Sequence, residues 1–269
     1  MSETASDISK RSVVYHLPGM DDVMIRQDIE YSAAGPNKLT MDLYHPPDQQ
    51  AADRLPAAII VAGYPDQGFA RVVGCKFKEM GSCVSWGKLI AASGIVGITY
   101  ANLAPETDLL ALLEYIRLNA EKLGIDGNRI GLWAGSGNVP LALSILMEQE
   151  REYLKCAALC YGYTLDTEGA SGVADAARQF GFVNPTAGKT VQDMRKDVAL
   201  FVARAGQDQL PHLNELLDRF VAEALACNLN ITVVNHAEGP HAFDLLHDSE
   251  MSRGITRQIL AFLRLHLLP

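Results

Sequence analysis

The chain has 269 residues, 48% hydrophobic and 20% charged, enough for one large α/β domain or two small ones. Its net charge of −9 argues against nucleic acid or an anionic membrane as a partner. The five cysteines, an odd number without framework spacing, read as reduced thiols in a cytoplasmic setting, and Cys75 and Cys83 lack the His or Cys neighbours of a zinc site.

The stretch Met1 to Ser12 is polar and has no apolar h-region, so no signal peptide is expected. No window approaches 18 uninterrupted apolar residues, so no membrane span is expected either. Residues 1–26 read as a poorly defined extension and residues 27–269 as a single domain. Gln27 to Tyr31 and Leu39 to Tyr44 read as strands joined by a turn at Gly35-Pro36-Asn37 and ended by Pro46-Pro47. Leu39, Met41 and Leu43 alternate with polar residues, as in a half-buried edge pair.

Ala57 to Ala62 and Ile95 to Tyr100 are continuous apolar runs of strand length, the mark of strands covered on both faces. Between them lie a long connection, Gly63 to Ser85, and a helix, Trp86 to Ala92, ended by Gly94. Pro105 opens the next helix, with Leu109, Leu112, Leu113, Ile116, Ala120 and Leu123 at helical spacing. Asp126-Gly127 then turns into a strand, Ile130 to Ala134. Further strands are read at Cys156 to Tyr161, Ala199 to Ala203 and Ile231 to Asn235, with Cys156 and Cys160 packed on one buried face. Helices are read at Pro211 to Cys227 and Ser249 to Leu268. This alternation means βαβ units, hence a mostly parallel sheet with helices on both faces and antiparallel strands at the N-terminal edge.

The chemistry concentrates at Arg129-Ile-Gly-Leu-Trp-Ala-Gly-Ser-Gly-Asn138, where a buried strand meets an apolar helix pattern at Leu141, Leu143, Ile145 and Leu146. A serine at the apex of a sharp strand-to-helix turn is a nucleophile elbow. The turn demands small neighbours, and the helix aims its free N–H groups at the reacting oxygen. The usual pattern is G-x-S-x-G. Here Ala134 and Asn138 replace the outer glycines; alanine is small enough, and asparagine tolerates positive φ better than most residues. Pro140 fits because the first helical N–H groups have no internal partner to lose.

A serine hydroxyl needs a base, and the base needs an orienting carboxylate. In a parallel sheet both should follow the carboxyl ends of later strands. Asp208 follows the strand Ala199 to Ala203, and His241 follows Ile231 to Asn235, so Ser136, Asp208 and His241 fall in the required chain order. Among the other histidines, His236 sits at the strand end itself and comes next in preference; His247 lies near the last helix. Glu238 and Asp244 are the competing acids. An oxyanion hole needs two backbone donors. Gly137 N–H supplies one, and the loop after Ala57 to Ala62 supplies the other at Tyr64, since Pro65 has no N–H.

Together these residues resemble the α/β-hydrolase superfamily and, more narrowly, the dienelactone hydrolase and small carboxylesterase families. The matching stretches are Leu39-Thr-Met-Asp-Leu-Tyr44, Ile60-Val-Ala-Gly-Tyr-Pro65, Gly124 to Ser136, Cys160-Tyr-Gly162, Gly206-Gln-Asp208 and Gly239-Pro-His-Ala-Phe243. The resemblance implies a cofactor-free hydrolase of a small-molecule ester or lactone. Dienelactone hydrolases carry cysteine as nucleophile; Ser136 moves the expectation towards a serine carboxylesterase. In similar hydrolases the connection corresponding to residues 162–196 often forms a cap. Here a short helix at Ala174 to Phe180, broken by Asn184-Pro185, would offer Phe180 and Phe182 to a substrate. The second reading is a non-catalytic ligand-binding relative on the same fold, and the complete Ser136, Asp208, His241 set favours the enzyme. A peptidase is less favoured, because the chain has no room for a gating domain.

Overall fold

The computed structural model describes residues 5–34, 37–50, 53–166 and 170–269. After α1 (Ala5–Lys10) come β1 (Met24–Ala34) and β2 (Asn37–His45), an antiparallel pair. The turn expected at Gly35-Pro36-Asn37 has its first two residues outside those described. Then follow β3 (Leu55–Ile60), α2 (Asp66–Val73), α3 (Gly81–Ala92), β4 (Val96–Tyr100), α4 (Pro105–Leu118), α5 (Ala120–Leu123), β5 (Ile125–Gly135) and α6 (Val139–Leu146). The rest is β6 (Leu154–Cys160), α7 (Gly172–Phe180), β7 (Ala199–Ala205), α8 (Leu213–Ala226), β8 (Ile231–His236), α9 (Phe243–Leu246) and α10 (Glu250–Leu267).

The eight strands form one sheet in the order β1-β2-β4-β3-β5-β6-β7-β8. From β4 to β8 every neighbour is parallel; β1 and β2 are the antiparallel edge. The apolar runs lie where their composition demands, with Ala57 to Ile60 and Ile130 to Ala134 buried along their lengths. Trp86 of α3 packs on Trp133 of β5 with ring centroids 4.8 Å apart, and α10 brings Leu263 and Leu267 against Gly131 on that same strand. All five cysteines are free of disulfides. Among the described residues no helix is long and apolar enough to cross a membrane.

Three expectations need correction. The long connection Gly63 to Ser85 contains α2, and the helix read from Trp86 begins within it, as α3, at Gly81. Side-chain ties that leave no periodic trace hold it. Buried Asp66 accepts Phe77 N–H at 3.0 Å and Asn102 N–H at 3.1 Å, and buried Lys78 reaches Asp42 and Asp28, each at 2.8 Å. The Asp126-Gly127 turn is absorbed into β5 as a bulge, since the β3 pairing jumps from Leu55↔Ile125 to Ala57↔Ile130.

The segment read as poorly defined also has structure. It carries α1 and a 3-10 turn at Met20–Asp22, and it buries Val13 and Met20. Val13 N–H donates to Ser85 Oγ at 3.3 Å, and Val14 N–H to Asp244 O at 2.8 Å. Two apolar anchors and two backbone bonds order an arm whose composition alone reads as polar.

Candidate active site

β5 ends at Gly135, and the chain turns through Ser136 to Asn138 straight into α6. Ser136 itself takes the left-handed conformation, φ 58°, which turns the chain sharply at the strand tip. Asn138 does not need the positive φ that its place in the pattern suggested; it is right-handed at φ −85°. Its side chain has a different task. Oδ1 accepts Gly63 N–H at 2.7 Å and Nδ2 donates to Gly135 O at 2.8 Å. Gly137 must be glycine, because a β-carbon there would run into the Tyr64 hydroxyl and the Phe182 ring.

His241 stands on the loop after β8, with Nε2 2.8 Å from Ser136 Oγ and Nδ1 2.6 Å from Asp208 Oδ2. A carboxylate only accepts, so Nδ1 carries the hydrogen and Nε2 offers its lone pair to the serine hydroxyl. The Asp208 side chain is fully buried, and its second oxygen accepts Leu210 N–H at 3.0 Å. The loops after β7 and β8 are stitched by Gly206 N–H to His236 O and Gln207 N–H to Gly239 O, both 2.9 Å. Those bonds hold Asp208 and His241 in register.

The competing residues are engaged elsewhere. Buried His236 meets Ser252 Oγ at 3.0 Å and packs on Phe243, while His247 lies beside it at 5.3 Å. Glu238 is exposed. Asp244 is buried, accepting Trp86 Nε1–H at 2.8 Å and the Tyr161 hydroxyl at 2.7 Å, and burial raises its pKa. Tyr161, at φ 37° just past β6, turns its ring edge-on to His241 at 5.2 Å. Sequence reasoning missed it, since nothing in the pattern marks a residue beyond a strand end as a floor for the imidazole.

Tyr64 was expected to contribute its backbone N–H. Its hydroxyl also lies at the site, beside Ser136 and the Gly137 N–H. Burial pushes the phenol up to about 12, offset in part by hydrogen bonding to Ser136 and Gly137. Phe180 and Phe182 part company. Phe180, at the end of α7, is 38% exposed and lines a cavity that reaches Ser136. Phe182 is buried, stacked on Tyr163 at 5.5 Å and edge-on to Tyr64 at 5.8 Å, so it braces the tyrosine instead of lining that cavity.

Two cavities meet at Ser136, sharing Tyr64 and Phe69. One, about 180 Å³, runs between Phe77, Met80, Trp86, Trp133 and Leu245 and includes His241. The other, about 510 Å³, opens between Val72, Tyr163, Phe180 and Leu210. A recess of about 600 Å³ beside Arg117 and Tyr153 is larger, but its lining includes no serine, cysteine or histidine. Among the described residues no cluster of His, Cys, Asp or Glu is arranged to hold a metal ion.

No family model and no curated protein matches the sequence. Solved structures do match. Esterase 2 of the planctomycete Thermogutta terrifontis superposes with a TM-score of 0.68 at 16% identity, covering 94% of this chain and 96% of that one. An esterase from the fungus Rhizomucor miehei gives 0.70 at 16% identity over 91% of this chain and 84% of that one. The fold is that of the α/β-hydrolases. In an α/β-hydrolase the tips of β5, β7 and β8 open on one end of the sheet, which is where Ser136, Asp208 and His241 converge. The Thermogutta esterase has also been solved phosphorylated by paraoxon, and with propionate or butyrate bound.

Proposed function

We propose that the protein is a serine hydrolase that cleaves a small carboxylic ester or lactone through an acyl-enzyme intermediate. The observation that carries this reading is the unbroken chain Asp208–His241–Ser136, 2.6 and 2.8 Å long, ending on the half-buried tip of an elbow. As Ser136 Oγ attacks the carbonyl carbon, His241 Nε2 takes its proton, and Asp208 holds the imidazole in the tautomer that can do so. Gly137 N–H and Tyr64 N–H stabilise the oxygen as it becomes negative, and the Tyr64 hydroxyl beside Ser136 adds a further donor. His241 returns the proton to the leaving alcohol as the C–O bond breaks. Water then attacks the acyl-serine by the same route and frees the acid.

The two departures from the elbow pattern are accommodated. Ala134 is small and buried, and Asn138 adopts an ordinary helical φ while tying the elbow to Gly63. That removes the main ground for a non-catalytic reading. The Thermogutta structures treated with paraoxon, sarin and tabun add support from a neighbour of the same fold. A serine, where dienelactone hydrolases carry cysteine, favours esters over dienelactones. Five free thiols fit a cytoplasmic enzyme. The deciding experiment is labelling with a fluorophosphonate probe. The label should map to Ser136 and vanish in Ser136→Ala; labelling elsewhere, or none, refutes the proposal.

A further inference from the structure

We propose that the smaller cavity receives the leaving alcohol and the larger one the acyl group, which makes the substrate an ester of a compact apolar alcohol with a bulkier acid. This rests on the serine-hydrolase reading and deepens it. The assignment follows from where the proton must go. When Ser136 Oγ bonds to the carbonyl carbon, the proton it loses sits on His241 Nε2. That proton must reach the alkoxide oxygen as its bond to the carbonyl carbon breaks. The leaving group therefore lies on the His241 side. His241 lines the 180 Å³ cavity and is absent from the lining of the 510 Å³ one. The acyl substituent, on the opposite side of the carbonyl carbon, is directed towards the cavity bounded by Tyr163, Phe180 and Leu210.

Size then sets the substrate class. Pockets that hold a whole ligand run from roughly 300 to 1,000 Å³. The alcohol side, about 180 Å³, falls below that range and suits a short group only; the acyl side, about 510 Å³, lies within it. The walls agree. Phe77, Met80, Trp86 and Trp133 are all buried, so the alcohol side is backed by core and has no room to yield. Its one carboxyl, Asp244, already accepts from Trp86 and Tyr161, so selection there is by size and apolarity more than by charge. On the acyl side Val72 and Phe180 are exposed at 74% and 38%, a rim along which a longer group can lie.

The test uses two ladders of esters on the whole protein: methyl, butyl and octyl esters of phenylacetic acid, and methyl esters of acetic, butyric and octanoic acids. Along the alcohol ladder kcat/KM should fall about 10-fold or more from butyl to octyl, the scale of a group refused by a small apolar pocket. Along the acid ladder it should hold or rise. Met80→Ala, which shortens one wall of the alcohol side, should raise the octyl-to-methyl ratio within that variant; Leu245→Ala provides the same ratio if the first does not fold. A steep acid ladder with a flat alcohol ladder overturns the assignment, as does an unmoved ratio in both variants. If no ester in either ladder turns over and the fluorophosphonate probe leaves Ser136 unlabelled, the hydrolase reading itself has failed and the assignment falls with it.

Discussion

Asn138 Oδ1 accepts the backbone N–H of Gly63 at 2.7 Å, joining the elbow to the loop that carries Tyr64. The two backbones lie so close that a β-carbon on Gly63 would meet Asn138 Cα and Gly137 O at 3.0 Å. A glycine at position 138, as in the usual elbow pattern, would leave the buried Gly63 N–H without this acceptor. The asparagine is therefore a working part of this elbow and not a blemish in it.

Asn138→Gly should cost about 1–3 kcal/mol of stability, the penalty for a buried donor left unpaired. It should also lower kcat by ~10-fold by loosening Tyr64, with KM little changed. Thermal melting measures the first effect. The second is kcat normalised to active sites counted with the fluorophosphonate probe. A stability loss with normalised kcat intact would make Asn138 a structural tie only.

Ser136→Ala should lower hydrolysis of a short aryl ester by about three orders of magnitude or more, and Asp208→Asn by about four, because the amide holds the wrong imidazole tautomer. Steady-state rates at neutral pH decide both. Wild-type turnover in either variant would break the assigned roles.

Tyr64→Phe should reduce kcat about 100-fold, the scale found for removing one oxyanion donor. With the phenol pushed up to about 12 by burial, Tyr64 keeps its proton throughout the neutral and mildly alkaline range. The rate of the wild-type protein should therefore show no loss from this group as pH rises to about 10, where an ordinary tyrosine titrates. An alkaline decline there that disappears in Tyr64→Phe would contradict the stated protonation.

Burial lowers the pKa of His236, with His247 beside it adding to the effect; burial likewise lowers His45 and His266. Each folded imidazole resists a proton that the unfolded chain accepts near 6.5. Their stabilisation is thus complete above that value and drains as pH falls below it towards the folded-state pKa values. Melting temperature measured from neutral to mildly acidic pH should decline, and more gently in His236→Asn. An equal slope in the variant would remove His236 from the account.

Phe180→Ala should change the ranking of acetyl, butyryl and longer acyl esters while probe labelling of Ser136 persists, since Phe180 touches the larger cavity and not the serine's partners. Phe182→Ala empties a buried site and should cost about 3–5 kcal/mol, so its effect on ranking is read only after melting has been checked. An unchanged ranking in Phe180→Ala takes α7 out of acyl selection.

The parallel strands were legible because each is a short apolar run that only a sheet covered on both faces can use, and the tips of those strands located Ser136, Asp208 and His241. What escaped was held by side chains far apart in sequence. Asp66 and Lys78 order the connection after β3 through bonds that no periodicity announces. The Tyr64 hydroxyl, the Tyr161 floor and the Asn138 bridge each depend on which way a side chain turns at a strand end, and residue order does not specify that. Phe180 and Phe182 are chemically identical two residues apart, yet one meets solvent and the other the core.

The bond from Val14 N–H to Asp244 O joins the polar arm to the segment just past His241. On the ribosome these two partners are made 230 residues apart (244 − 14). A nascent chain that has completed β1 to β7 can already bond Val13 N–H to Ser85, but it still lacks the loop of His241 and the Asp244 carbonyl that Val14 holds. The core can collapse early, but Ser136 meets His241 only once the loop after β8 has been made.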